Sequence, residues 1–166
     1  MGFGCFNGMC QAGPGYIPVG PQQNVPMAQI TNGGWTQCFL GSYSDNASIA
    51  ALQMACNRNR VMVGCRATGS QTVQLLAWAP RADVFFETGN GNVLHVANGT
   101  GWYFTNSFSM GYAAQGETVS RNSCDTNPGA RHLCYHTGGG NLNSGWRCGD
   151  NTGIGPSHER IIFHAN

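Results

Sequence analysis

The first 34 residues carry eight glycines and four of the chain's seven prolines, with no Asp, Glu, Lys or Arg. Such a segment has too little apolar surface to offset the entropy of ordering its own backbone. It is held in place only if another surface ties it down, either its own body's or a neighbouring subunit's. The natural division is therefore an extended arm, residues 1–34, ahead of a domain of residues 35–166. The arm itself splits. Residues 1–13 hold Cys5 and Cys10 and predict a small disulfide loop. Residues 14–34 are extended by Pro14, Pro18, Pro21 and Pro26, which fix φ and favour polyproline-like geometry. Tyr16, Ile17, Val19, Val25 and Ile30 are its candidate anchoring side chains. Tyr16–Val19 and Val25–Ile30 each read as a short strand for a sheet edge. The plainer alternative is a linker between repeats of a longer protein.

Charge narrows the class of partner. Only 9% of the residues are charged, all eight basic ones are arginine, and the net charge is +1. Average soluble domains carry about 25% charged residues. Nothing here suggests electrostatic capture of nucleic acid or of an acidic membrane. No stretch reaches the roughly 20 apolar residues that span a bilayer as a helix. A surface so poor in charge lacks repulsion between copies, which suits a molecule covered by glycans or by itself.

The eight cysteines, at 5, 10, 38, 56, 65, 124, 134 and 148, are even in number and scattered. That pattern favours disulfides made in an oxidising compartment. Neither CxxC nor CxxCH occurs. Sequence proximity pairs Cys5 with Cys10. Cys134 and Cys148 pair across a glycine-rich stretch, leaving Cys38, Cys56, Cys65 and Cys124 to staple the helix and first strands. No basic n-region with an apolar h-region follows Met1, so an extracellular destination implies a processed chain.

In the body, Trp35–Leu40 reads as a strand. Ile49, Leu52 and Cys56 recur at helical spacing among alanines, behind Ser44-Asp45-Asn46 as capping residues. This predicts one short helix over about 47–57. Strands follow at 61–67, 72–78 and 82–87. Asn98-Gly99 joins 93–97 to 102–105 as a hairpin. Further strands are expected near Val119 and over 132–136, 146–148 and 160–164. The fold class is mainly β, a β-sandwich or compact α+β domain.

The chemistry-bearing candidates are few. His132, Cys134 and His136 would share one face of a strand, as in a zinc or copper half-site, but a half-cystine cannot ligate zinc. Residues 137–146 lack the Gly-Lys-Ser/Thr ending of a phosphate loop and read as a long flexible loop. Trp102, Tyr112, Asn141 and Trp146 supply the aromatic platforms and amides that a saccharide needs. Asp125, Asn127, Asp150 and Asn151 offer oxygen ligands for calcium without an EF-hand pattern. No other cofactor is indicated. Asn46 and Asn98 begin glycosylation triplets. Asp83 and Glu87 would share a strand face as a glycosidase-like pair.

The stretches Gly64-Cys-Arg-Ala-Thr-Gly-Ser70, Leu133-Cys-Tyr-His-Thr137 and Gly145-Trp-Arg-Cys-Gly149, with Arg81–Val84 and Arg121–Asp125, resemble an uncharacterised domain of secreted bacterial proteins. The resemblance spans roughly residues 35–164. It implies an extracellular or cell-surface location and brings no catalytic residues. The arm is similar to those of filament subunits that complete a neighbour's sheet. The leading expectation is thus a non-enzymatic structural subunit of an extracellular filament. Its partners are copies of itself, joined head-to-tail by strand addition. A glycan-binding module is the alternative, and a glycoside hydrolase the third reading.

Overall fold

The computed structural model describes the backbone of residues 3–6 and 9–12 and the whole of residues 13–166. An antiparallel hairpin, β1 (Phe3–Phe6) and β2 (Met9–Ala12), opens the chain and places Cys5 opposite Cys10. A bridge between those cysteines lies outside the described side chains. Next come β3 (Gln22–Pro26), α1 (Met27–Asn32), β4 (Thr36–Ser42), β5 (Ala47–Ser48) and α2 (Ile49–Ala55). Then follow β6 (Arg60–Ala67), β7 (Thr72–Pro80), α3 (Arg81–Val84), β8 (His95–Ala97), β9 (Thr100–Phe104) and β10 (Ser109–Ala114). The chain closes with β11 (Arg121–Asn122), β12 (Cys124–Asp125), β13 (Leu133–Gly138), β14 (Asn141–Cys148) and β15 (His158–Ala165).

Two antiparallel sheets pack face to face. One has five strands in the order β3-β7-β6-β15-β4, and the other six in the order β5-β14-β13-β10-β9-β8. Between them lies the main core, with Val61, Val63, Leu75 and Ile162 from one sheet and Trp102, Tyr112, Leu133 and Tyr135 from the other. α2 adds Ile49 and Leu52 to this layer. The five-stranded sheet is apolar on its outer face as well. Met62, Leu76, Ile161 and Phe163 point there, and Val25, Ile30 and Trp35 cover them. β6 is consequently buried along six consecutive residues rather than at alternate ones. The apolar surface that residues 14–35 lack individually is supplied by the face on which they lie.

Local chemistry explains where the expected elements hold and where they shift. Ala47 and Ser48 pair with Leu142 and Asn141, so the helix begins only at Ile49. Its cap is Ser48, whose hydroxyl accepts from Ala51 N, and not Ser44, Asp45 or Asn46. The strand expected at 82–87 is instead the short helix α3. Pro80 closes β7, and the Arg81 guanidinium turns back to donate to Gln53 O and Cys56 O at the end of α2. The flexible loop expected at 137–146 is a tight turn. Gly139 and Gly140 adopt φ of 57° and 80°, and β14 begins at once. No strand forms at Val119, which packs beneath the six-stranded sheet beside Tyr103 and Cys134. The Asn98-Gly99 hairpin forms as expected, with φ of 49° and 68°.

The described disulfides are Cys38–Cys56, Cys65–Cys148 and Cys124–Cys134. The first staples α2 to β4, as expected. The Cys134–Cys148 pairing does not occur. In the β13–β14 register Cys148 lies opposite Leu133, and Cys134 opposite Arg147. The two cysteines are thus one position out of step and face opposite sides of the sheet. Cys148 turns inward to Cys65 and ties the two sheets together, while Cys134 turns outward to Cys124.

Candidate functional site

The arm meets the body along two stretches. In the first, β3 joins the edge of β7 with Val25 opposite Val73 and Gln22 opposite Leu76. α1 then crosses the outer face and buries Ile30 completely. Met27 N donates to Gln71 O at 2.8 Å, and Trp35 N to Ile30 O at 3.3 Å. In the second stretch, the extended residues 16–20 run between two tryptophans. Trp35 Nε1 donates to Tyr16 O and Trp78 Nε1 to Pro18 O, each at 2.7 Å. Asn98 Nδ2 donates to Pro18 O at 3.0 Å, and Gly20 N donates to Asn98 O at 2.9 Å.

Close approach dictates glycine at the crossing. A Cβ on Gly33 would lie 2.3 Å from Tyr16 Cβ, and one on Gly34 would lie 3.1 Å from Pro14 Cα. Gly34 also takes φ of 93°. Burial pushes the Tyr16 hydroxyl pKa upward. Of the five arm residues singled out, Val25 and Ile30 fill pockets, and those pockets belong to the chain's own sheet. Tyr16 is half-buried against them. Ile17 and Val19 fill none, being 52% and 71% exposed.

The other candidates are dispersed. Trp102 and Tyr112 are 2% and 0% exposed and stack edge to face inside the core, out of reach of a sugar. Trp146 is half-buried against the outer face of the six-stranded sheet, and Asn141 is exposed at the β14 turn. Asp83 sits on α3 and contacts His95 Nε2 at 2.7 Å. Glu87 lies beyond that helix and accepts from Gly89 N, so the two carboxylates share no strand face. A surface depression lined by Ala50, Gln53, Met54, Asn57 and Arg81 contains neither. Asn46 is exposed in a turn, whereas both amide hydrogens of Asn98 are used, on Pro18 O and Trp78 O.

His132 is buried between two acids, with Nδ1 2.5 Å from Asp125 and Nε2 3.1 Å from Glu117. Asp125 also accepts from Ser120 N and Asn127 N, which fills the oxygens that calcium would need. Cys134 is disulfide-bonded, leaving no thiolate for zinc. Among the described residues no group of three or more His, Cys, Asp or Glu side chains is placed to hold a metal.

Sequence reasoning missed the buried arginines. Arg160 donates to the carbonyls of Ser42, Tyr43, Asp45 and Asn143. Arg147 gathers those of Asp125, Asn127, Gly129 and Gly149. Arg121 binds Gly89, Gly91 and Ser109. The signal available was an all-arginine basic set, since only guanidinium offers five donors in a fixed fork. No protein family, characterised protein or solved structure matches this chain.

Proposed function

We propose that this protein is a structural subunit of an extracellular or cell-surface filament, which polymerises head-to-tail by exchanging its N-terminal arm with a neighbour. The observation that carries this reading is the way β3 is held. It pairs with an edge of a strand remote in sequence, through main-chain bonds, and joins the body only across Gly33-Gly34. Every one of those contacts is available to the same segment arriving from another copy. An arm passed one way, from each copy to the next, gives a heterologous contact that grows a filament where the rotation between copies does not close. The three described disulfides suit an oxidising compartment, and the scarcity of charge suits a surface covered by copies of itself.

The double variant Val25→Cys/Val73→Cys tests this, because those residues face each other across the β3–β7 ladder. After oxidation, denaturing electrophoresis without reductant distinguishes the two arrangements. Exchange gives a ladder of multimers. A single monomer band from material that light scattering shows to be polymeric would overturn the role of the arm. Absence of polymers at all concentrations would overturn the filament itself.

A further inference from the structure

The segment Tyr16–Gly20 is read by its main chain. Its two tryptophan partners lie with ring centroids 5.8 Å apart, tilted by 57°. Their indole N–H groups take two alternate carbonyls, those of Tyr16 and Pro18. Asn98 adds a second donor to Pro18 O and fixes its own carboxamide on Trp78 O at 3.0 Å. The one side chain between these carbonyls, Ile17, stands out in solvent, and Val19 is 71% exposed with only its Cγ1 lying over Gly99, where a Cβ would come within 2.7 Å of it. What the surface recognises is an extended backbone with proline at one position. Proline suits it, because a fixed φ and a missing N–H keep the segment extended with its carbonyls presented. Aromatic grooves that donate to the carbonyls of pre-extended proline segments are a recurring mode of peptide recognition.

We infer that Trp35, Trp78 and Asn98 form a peptide-binding site for an extended, proline-containing strand, and that the site accepts such a strand in trans when the chain's own is displaced. The occupant is the same segment of a second copy, and in that identity the inference rests on the assembly reading. Asn98 is the positioning residue. It sits at φ 49° in the β8–β9 turn, which aims its amide at the segment. An N-linked sugar on Asn98 would replace one of its two engaged amide hydrogens. Glycosylation there and full docking are therefore mutually exclusive, whereas Asn46 carries no such conflict.

The test uses the full chain carrying Gly20→Val and a synthetic peptide of residues 13–26. Gly20 adopts φ of 72°, and a Cβ there would lie 3.2 Å from Gly99 O, so valine expels the segment and leaves the site intact. Hydrogen exchange at the Trp35 and Trp78 indoles should quicken at least tenfold. Added wild-type peptide should restore protection, and a peptide with Ile17→Ser should bind within about twofold. Adding Asn98→Asp, which sets a carboxylate against two carbonyls, should weaken peptide binding at least tenfold. Should Gly20→Val not fold, Gly20→Ala, which meets the same unfavourable φ of 72° with a smaller side chain, replaces it, and uptake of fluorescently labelled peptide is read by anisotropy. Failure of the peptide to protect the indoles or to be taken up overturns the inference, as does loss of binding on the Ile17→Ser replacement. Cross-linked ladders without peptide binding would remove this inference alone. Peptide binding without polymers would remove the assembly reading alone.

Discussion

Arg160 lies fully buried and holds no salt bridge among the described residues. Its charge is dispersed over four carbonyl oxygens and over the faces of Tyr43 and Tyr135, 5.1 and 5.7 Å from its guanidinium carbon. Arg160→Ala would strand those carbonyls and leave a void. We expect a loss of about 3 kcal/mol or more, read from denaturant unfolding. Lysine cannot replace it, having three donors and no fork. The tyrosines make a second test. Tyr43, Tyr103, Tyr112 and Tyr135 are buried, and burial raises the pKa of each hydroxyl. A raised native pKa means stability fully present below the unfolded value of about 10 and lost progressively as pH climbs from there toward the raised native value. Absorbance titration should show these four ionising only with alkaline unfolding. The histidines run the other way. Burial lowers the pKa of His136 and His164, with Arg160 and Arg58 adding to the effect. The unfolded chain then binds more protons, so stability falls as pH drops below about 6.5. The Nδ1 of His164 is buried with no hydrogen-bond partner among the described residues, and His164→Gln should flatten that acid slope.

Among the elements, β6 and β10 show what residue patterns convey and what they hide. β6 was legible because its Val, Met and Cys residues form an unbroken apolar run. The run also required cover on both faces, and nothing local in it identifies the source of the second cover. β10 gave no strand signal, since Ser-Met-Gly-Tyr-Ala-Ala is poor in β-branched residues. Its small residues answer to cross-strand crowding. A Cβ on Gly111 would lie 2.0 Å from Leu133 O and 2.6 Å from the Tyr103 hydroxyl. Gly111→Ala should therefore prevent normal pairing of β10 with β13, seen as loss of near-ultraviolet dichroism. α1 is the counterpart on the outer face. It is six residues long and owes its place to Ile30. Ile30→Ala should cost about 2–5 kcal/mol and raise hydrogen exchange in β3 before that in β15.

For the whole molecule, the disulfides divide the labour unequally. Cys65–Cys148 closes a separation of 83 residues and joins the two sheets, whereas Cys124–Cys134 closes one of 10. Chain entropy assigns them about 4.5 and about 2.7 kcal/mol. Replacing Cys65 and Cys148 together by alanine should thus lower the denaturation midpoint more than replacing Cys124 and Cys134. That ranking was unreadable beforehand, because pairing depends on which face each cysteine takes and one step of strand register reverses it. The candidate site was half legible for the same reason. Proline spacing marked residues 14–34 as an extended segment needing a surface. The extension fails over Met27–Asn32, where the chain beyond Pro26 turns into α1 instead of a strand. Trp35, Trp78 and Asn98 come together only after β7 and the β8–β9 turn are in place. What the sequence determined alone is local: the proline-stiffened arm, the short alanine-rich helix, the Asn98-Gly99 hairpin and the oxidised cysteines. Each follows from torsional limits or short-range periodicity. Tertiary structure alone decided the cysteine pairing, the arginine–carbonyl clusters and the surface that holds the arm, because each joins residues far apart in the chain whose meeting is fixed by sheet order and strand register.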